Sequence, residues 1–367
     1  AGHGGLNLTH SEPSAPFLTR YGPSADRLAP MLEEFGPQDL RDWCAGLGEP
    51  TFVGSSGRVF PQAFRATPLF RAWLARLADL GVRIERRQQW TGWAEDGALR
   101  IADSAGEVSE VRPGATVFAL GGASWPRLGA DGGWVDAFTG RGVAVAPLRA
   151  ANVGLRVGWS ESFVERFAGV PLKSVALRVE GSRDGPVRGD AMLTRTGIEG
   201  GPVYAIGAAV RAALDAEGRC TLRVDLRPDR TRDQLEARLR NRRAKDSVSS
   251  WLRRAIGLDP AAIALMREAT GGALPAEPAA MAALVTSVPV EVTGSMPIDR
   301  AISSAGGICW SEVDEHLMLR RLPGTFVAGE MLDWEAPTGG YLLQGAFSTG
   351  VAAARGALAW LAGDGVP

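Results

Sequence analysis

Cysteine is scarce in this chain of 367 residues, and the few that occur are scattered. The three cysteines include no C-x-x-C pair, which is the spacing that zinc and dithiol sites use. Neither a disulfide framework nor a zinc site is therefore expected, and the composition predicts a reducing, cytoplasmic location. The cysteines are Cys44, Cys220 and Cys309.

Histidine and long apolar runs are also in short supply. A three-histidine metal site would need every histidine of the chain, so we predict that no metal is bound. No apolar run reaches the roughly 18 residues that cross a bilayer, so no membrane partner is expected. The histidines are His3, His10 and His316.

An excess of charge of one sign is lacking as well, because the formal net charge is −1. This balance gives no overall attraction to nucleic acid or to an anionic membrane. Arginines cluster over residues 230–254, but acidic residues are interleaved with them and aromatic residues are sparse. A solvated helix face explains this stretch better than a nucleic-acid surface does, so no nucleic-acid partner is expected.

Glycine, in contrast, is plentiful and is concentrated at the start, where residues 1–10 read AGHGGLNLTH. Clustered glycines let a backbone approach a ligand closely and turn its N–H groups toward an anion. The backbone around Gly2, Gly4 and Gly5, with the polar side chains of Asn7 and Thr9, is therefore expected to form a ligand loop.

The next hundred residues have the pattern of an α/β fold. Periodicity predicts helix over residues 24–47, divided by Pro37 into two short helices. A second helix is predicted from Pro68 to a stop at Gly81, followed by a strand at residues 82–84. Asp96-Gly97 is typical of a hairpin turn.

Two further glycine pairs follow strand-like segments. The apolar run TVFALGGAS at 116–124 predicts a buried parallel strand that leads into Gly121 and Gly122, although a purely structural turn would read the same way. Near the end, TFVAGE at 325–330 predicts a strand. A loop that contains the second pair, Gly339 and Gly340, follows it, and a helix is predicted from Tyr341 to Ala352. The N–H groups at the start of that helix could hold an anionic oxygen.

Between these parts the pattern changes. Short strand-like runs at 153–157, 174–181 and 220–226 predict an antiparallel sheet, and an arginine-rich helical stretch follows. The α/β pattern returns near Pro297. We therefore predict an α/β domain over 1–150 and 299–367, interrupted by an inserted, β-rich and helical substrate domain over 151–298.

Several collinear stretches resemble a bacterial family of NAD(P)/FAD-dependent oxidoreductases, which includes aminoacetone-oxidase-type and bile-acid-precursor-reductase-type flavoproteins. The resemblance implies a Rossmann-like FAD-binding domain of the two-dinucleotide-binding type. The matching stretches are GHGGLNLTH (2–10), GRVFP (57–61), FALGGASWPRLGADG (118–132), TRTGIEGGPV (194–203), SSAGGI (303–308) and VAGEMLDWEAPTGGYLLQGAFSTG (327–350).

The resemblance also implies which residues contact FAD, with an acidic residue at Glu330 on the ribityl or pyrophosphate region. The implied cofactor-binding residues are Gly2, Gly4, Gly5, Asn7, Thr9, Gly121, Gly122, Gly329, Glu330, Gly339, Gly340, Tyr341 and Leu342.

Two departures from the family pattern place the chain in a side branch. Gly5, Leu6 and His10 stand where most relatives have Arg, Cys and Asn, which removes any role for a redox thiol there. The chain also contains no G-x-G-x-x-G, so the first βαβ unit that binds the ADP half of FAD is expected to be missing. The chain alone is therefore expected to bind FAD poorly.

Candidates for proton transfer are weak. His3, His10 and Asp333 could act as acid or base beside the flavin, but loop geometry or helix capping explains them equally well. Trp125, Trp134 and Trp334 could line a substrate pocket or simply pack.

The sequence thus predicts an FAD-dependent oxidoreductase that transfers hydride between flavin and a small organic substrate, with NAD(P)H as a possible reductant. The alternative is an incomplete or degraded flavoprotein that acts as a non-catalytic binding or assembly module. The oligomeric state is left open.

Overall fold

A computed structural model describes residues 5–243 and 245–363, and the chain divides into two compact units. Unit 1 combines the chain up to Arg149 with the chain from Ser303 onward, and unit 2 is the intervening segment Ala150–Ile302.

Unit 1 mixes helices with short strands. Its helices are α1 (Ser14–Thr19), α2 (Ala25–Glu34), α3 (Pro37–Gly46), α4 (Ala66–Asp79), α5 (Val135–Thr139) and α13 (Tyr341–Ala362). Its strands are β1 (Thr9–His10), β2 (Thr51–Val53), β3 (Arg58–Pro61), β4 (Gln89–Trp93), β5 (Leu99–Ala102), β6 (Val108–Val111), β7 (Thr116–Phe118), β8 (Val145–Ala151), β15 (Ser303–Ile308) and β16 (Thr325–Val327).

These strands form four small sheets. β1, β3 and β2 are antiparallel neighbours, β4, β5 and β6 form a meander, and β8 pairs with β15. β7 and β16 pair in parallel, with Thr116 opposite Thr325. The parallel pair confirms that TVFALGGAS forms a parallel strand, but the predicted burial holds only for Phe118, because Val117 is 41% exposed. β7 leads into Gly121, and β16 leads into Gly329.

Most local predictions for unit 1 are confirmed. Pro37 starts α3 and so separates it from α2, and Asp96-Gly97 turns the chain between β4 and β5. The predicted strand at residues 82–84 is wrong. Val82 and Ile84 are exposed, and the next strand begins only at Gln89. A β-branched segment such as Val82-Arg83-Ile84 forms a strand only where a partner strand supplies hydrogen bonds.

Unit 2 is built on a closed barrel with the strand order β10-β11-β12-β9-β14-β13. The strands are β9 (Leu155–Val157), β10 (Pro171–Val179), β11 (Val187–Thr194), β12 (Gly197–Glu199), β13 (Cys220–Asp225) and β14 (Val288–Ser295). The helices are α6 (Glu161–Phe167), α7 (Gly201–Ala205), α8 (Gly207–Glu217), α9 (Arg232–Leu239), α10 (Val248–Ile256), α11 (Pro260–Ala269) and α12 (Pro278–Val285).

Barrel strands such as β13 and β14 alternate buried and more exposed side chains, as strands with one face in a core do. Along β13, Cys220, Leu222 and Val224 are buried while the residues between them are partly exposed, as expected for a strand with one face in a core. All six strand pairings are antiparallel. The antiparallel sheet predicted from residues 153–157, 174–181 and 220–226 is therefore confirmed.

Across residues 5–243 and 245–363, no helix combines the length and the apolar character needed to span a bilayer.

An aromatic cluster fills the core of unit 1 beside the parallel strands. Phe138 is 0% exposed, and its ring centroid lies 5.0 Å from that of Trp93 and 5.3 Å from that of Phe118. Trp90 packs on Phe118 at 4.7 Å. This cluster supports β7 from one side, so it holds the strand that precedes Gly121.

Phe138→Ala should lower the free energy of unfolding of unit 1 by about 3–5 kcal/mol, because it leaves a cavity that neighbouring rings cannot fill. Urea unfolding followed by near-UV circular dichroism measures the change. Phe70→Ala is the control, because Phe70 is 55% exposed and its loss should cost less than about 0.5 kcal/mol. Equal effects of the two substitutions would contradict the assignment of Phe138 to the core.

Candidate active site

The candidate site begins at the glycine-rich opening segment. Gly2, His3 and Gly4 lie outside the described residues, and Gly5 is the first one described. The segment continues into β1, which pairs with β3 through Thr9 opposite Val59. The N–H of Leu8 also donates to the Val59 carbonyl at 2.9 Å. Asn7 and Thr9 are therefore held on ordered backbone.

Two polar atoms of this segment are buried without a hydrogen-bond partner among the described residues. They are Oδ1 of Asn7 and Oγ1 of Thr9, and Thr9 is 0% exposed. A buried polar atom that lacks a partner costs free energy comparable to a lost hydrogen bond. Such atoms mark a place where a bound group would supply the missing partner.

The start of α13 lies against Thr9. Gly340 has φ +102°, and a Cβ on it would lie 2.5 Å from the Thr9 backbone, so only glycine allows this approach. Gly339, at φ +133°, lies against the Tyr341 ring in the same way. Leu342 is partly buried against the core of unit 1.

The amino end of α13 has no side-chain cap among the described residues. Within the described part of the chain, its N-cap Gly340 supplies no side-chain acceptor and its first turn contains no acidic residue. The first N–H groups of a helix have no partner in the helix and carry partial positive charge. Oε1 of Gln344, one turn along, is also buried without a partner among residues 5–243 and 245–363.

The second glycine turn follows β7. Gly121 has φ +76°, and its carbonyl accepts a hydrogen bond from Trp134 Nε1 at 2.9 Å. Gly122 lies so close to Ser304 that a Cβ would lie 2.3 Å from the serine Oγ. The same Oγ accepts from the N–H of Ala123 at 2.8 Å. These contacts fix the turn.

The Glu330 side chain lies between the turn that follows β7 and strand β15. Its carboxylate accepts hydrogen bonds from the backbone N–H groups of Gly122 and Ser304. Burial raises the pKa of Glu330, and the two N–H groups partly oppose that shift. In this structure Glu330 therefore binds backbone, which is a structural use of the acidic residue that the sequence placed on the cofactor.

Gly329 is held in a similar way. It has φ +69°, its N–H donates to Thr349 Oγ1 at 3.0 Å, and its carbonyl accepts from Trp334 Nε1 at 2.9 Å. Trp134 and Trp334 are thus buried and fasten the glycine turns, while the Trp125 side chain is 47% exposed. Packing and hydrogen bonding explain two of the three tryptophans that were candidates for a pocket lining.

Sequence reasoning missed a charged cluster around Tyr341. Its hydroxyl donates to Glu12 Oε1 at 2.5 Å, and Arg20 forms two hydrogen bonds to the Glu12 carboxylate at 3.0 and 2.9 Å. Tyr21 donates to the Tyr341 carbonyl at 2.8 Å. The Arg20 guanidinium lowers the pKa of Glu12, and burial raises that of Tyr341. No local spacing signals a contact across 329 positions.

The structure also places the two described candidates for proton transfer. His10 has both ring nitrogens engaged, since Nδ1 accepts from the N–H of Glu12 at 3.1 Å and Nε2 lies 3.0 Å from the Ser56 carbonyl. The His10 ring is also stacked on Tyr341, with 5.4 Å between the ring centroids. Burial raises the pKa of Asp333, and nearby Glu335 adds to the shift.

Replacement of Glu12 should expose the pH dependence of this cluster. The ionised carboxylate stabilises the fold above the ordinary pKa of 4.5, and that stabilisation is lost as the pH falls through the lower folded value. Glu12→Gln should therefore cost about 1–3 kcal/mol at neutral pH, and this cost should shrink as the pH falls below 4.5 through the lowered pKa of Glu12.

Urea unfolding at several pH values measures the difference between the variant and the original chain. Glu95→Gln is the control, because Glu95 is exposed in the turn between β4 and β5 and should change stability by less than about 0.5 kcal/mol. A Glu12→Gln penalty that stays constant from neutral to acid pH would rule out the ion pair as its source.

The residues gathered here fit a large anionic cofactor. Two glycine turns, an uncapped helix start and the unpaired oxygens of Asn7 and Thr9 belong to one unit, and Thr9 touches Gly340. Backbone N–H groups and helix starts of this kind hold phosphate and other anionic oxygens in dinucleotide-binding folds.

Comparison with known proteins gives the family. Residues 1–356 match the family described as the HI0933-like protein Rossmann domain. The chain is also 25% identical over 373 residues to the 3-dehydro-bile acid delta(4,6)-reductase of Clostridium scindens, a similarity that covers 97% of this chain and 88% of that protein.

Two solved structures are among those that match this chain. A flavocytochrome c3 fumarate reductase matches with a TM-score of 0.49 and 13% identity, over 98% of this chain and 71% of the other. The 3-ketosteroid delta1-dehydrogenase from Sterolibacterium denitrificans matches with a TM-score of 0.38 and 13% identity, over 97% and 72%.

The family match confirms the predicted resemblance, and with the β-rich unit 2 it confirms the predicted fold class. This chain belongs to the HI0933-like Rossmann-domain family, a bacterial family of FAD-dependent oxidoreductases.

Proposed function

We propose that this chain holds FAD at the candidate site and transfers hydride between the flavin and a small organic substrate, with NAD(P)H as the reductant. The observation that carries the proposal is the pair of buried, unpartnered oxygens on Asn7 and Thr9 beside the uncapped start of α13. In a protein of an FAD-dependent family, the cofactor is the natural partner for these atoms.

Several residues of the chain would each have a distinct role in binding the cofactor. Asn7 and Thr9 would hydrogen-bond the cofactor, and the first N–H groups of α13 would hold an anionic oxygen. Gly339 and Gly340 would let the cofactor approach the backbone. Bound FAD supplies the hydride chemistry, and the protein orients it and tunes its charge.

Glu330 would act as a positioning residue. Because its carboxylate holds the N–H groups of Gly122 and Ser304, it fixes the turn after β7 against β15. The implied contacts of Gly121, Gly122 and Gly329 with FAD depend on that turn. Glu330 therefore contributes to cofactor binding through the backbone it holds.

The direction of the reaction is proposed from the similar protein of Clostridium scindens, which is named as a reductase. Reduction of an unsaturated small molecule by NAD(P)H through the flavin fits that name and the predicted chemistry. As part of the same proposal, unit 2 serves as the substrate domain. The lack of a G-x-G-x-x-G in the sequence favours the alternative of a non-catalytic module, whereas the family match favours the enzyme.

Anaerobic reduction tests this chemistry. The FAD-loaded protein should lose its oxidised-flavin absorbance when NADPH or NADH is added, and an unsaturated ketone such as a 3-oxo-4-ene steroid should restore it. Free FAD under the same conditions is the control. FAD that binds but is reduced by neither nicotinamide would eliminate the proposed reductant. Because the chain alone is expected to bind FAD poorly, the reaction is followed at saturating FAD, and a protein that binds no FAD even then would favour the non-catalytic module.

Thr9→Val tests the cofactor contact by predicting opposite effects on the free and the loaded protein. Removal of an unpartnered buried hydroxyl should leave the thermal midpoint of the FAD-free protein unchanged or higher. It should weaken FAD binding by about tenfold, because one hydrogen bond of about 1–1.5 kcal/mol is lost. Fluorescence quenching of FAD on titration measures the affinity.

Two control variants accompany Thr9→Val. Thr9→Ser keeps the hydroxyl and should retain most of the affinity. Thr194→Val removes another buried, unpartnered hydroxyl, this time in β11 of unit 2, and should leave FAD binding unchanged. Equal affinity of Thr9→Val and the original chain would remove Thr9 from the proposed site.

A further inference from the structure

Unit 2 contains a cavity that the proposed flavin site does not use. It has a volume of about 640 Å³ and lies among α6, α10 and α11. This volume is within the range of about 300–1,000 Å³ that is typical of pockets for small organic ligands. Its residues include three arginines, a single acidic residue and several apolar side chains.

The arginines have no acidic partner. Arg166, Arg253 and Arg267 form no ion pair within residues 5–243 and 245–363. Other arginines of unit 2, by contrast, are paired with carboxylates, as Arg223 is with Glu180. Three unpaired guanidinium groups around one cavity produce a local excess of positive charge that an anion would offset.

The one acidic residue of the cavity is already engaged. Glu268 Oε1 accepts from the N–H of Ser160 at 2.5 Å, and Oε2 accepts from the Ser160 hydroxyl at 2.8 Å. Ser160 is the N-cap of α6, so the Glu268 carboxylate lies at the positive end of that helix. It therefore faces the start of α6 and forms no ion pair with the three arginines, so the cavity lining keeps an excess of positive formal charge.

Two of the arginines are held in place by neighbours. The Arg166 guanidinium lies over the Phe167 ring, 5.2 Å from its centroid, and Arg267 Nη2 donates to Ser249 Oγ at 3.2 Å. Arg253 lies in the last turn of α10. A planar guanidinium presents paired donors that match the two oxygens of a carboxylate or a phosphate.

The inner part of the cavity is apolar. Phe163, Phe167 and Ile263 are buried there, and Ala264 is partly buried beside them. Their placement gives the cavity two chemically distinct parts, one cationic and one hydrophobic. A ligand that satisfies both has a negatively charged head and an apolar body.

We propose that unit 2 binds a small amphipathic organic anion in this cavity, with its carboxylate on Arg166, Arg253 and Arg267 and its apolar body on Phe163, Phe167 and Ile263. This site belongs to unit 2 alone and does not depend on FAD binding in unit 1.

Calorimetric titration of the full chain tests the proposal with three probes. Decanoate carries both the charge and the apolar body, decanol lacks the charge, and inorganic phosphate lacks the body. We expect decanoate to bind at least about tenfold more tightly than either, because each of the others loses one class of contact. Decanol or phosphate binding as tightly as decanoate would overturn the proposal.

Variants locate the binding. Arg253→Gln combined with Arg267→Gln should weaken decanoate binding by at least about tenfold. Arg238→Gln, on the exposed face of α9, removes the same kind of charge outside the cavity and should have no effect. Ala264→Trp should abolish binding by filling the cavity with all three arginines intact.

Thermal unfolding confirms that each variant is folded before its affinity is compared. Decanoate affinity unchanged in both the double arginine variant and Ala264→Trp would show that the anion binds elsewhere, which overturns the proposal. The three-probe comparison needs no variant and remains decisive if a variant fails to fold.

Discussion

The arrangement of the candidate site in unit 1 depends on one contact between the backbones of Gly340 and Thr9, which are too close together for a side chain to fit between them. Gly340 approaches Thr9 so closely that any Cβ would overlap the Thr9 carbonyl. This contact brings the start of α13 against β1. The unpartnered oxygen of Thr9 lies on that strand, and the unpartnered oxygen of Asn7 lies just before it. A larger residue at position 340 would separate the two elements on which the cofactor-binding proposal rests.

The glycine turns need support, because glycine itself supplies no side chain that packs. Trp134 and Trp334 provide it with indole N–H groups that bind the carbonyls of Gly121 and Gly329. Glu330 provides it with a carboxylate that takes up two backbone N–H groups, at the cost of burying a charge. Bulky and acidic residues near the proposed site thus hold flexible backbone in one arrangement.

Sequence patterns predicted the elements whose causes are local. Pro37 divides two helices, Asp96-Gly97 turns a hairpin, and alternation along β13 shows which face is buried. The strand expected at residues 82–84 was wrong because a strand needs a partner that three residues cannot reveal. Glu12, Arg20 and Tyr341 were not found together because their contact joins distant parts of the chain, and only the fold brings them within 2.5–3.0 Å.

The two ends of unit 2 meet. The N–H of Ile302, its last residue, donates to the carbonyl of Asn152 near its first residue at 3.2 Å. The chain therefore enters and leaves unit 2 at neighbouring positions. Within unit 2, the barrel closes on itself and satisfies the edges of its own strands. This segment has the geometry of a portable module, one that could be gained or lost through a single short splice.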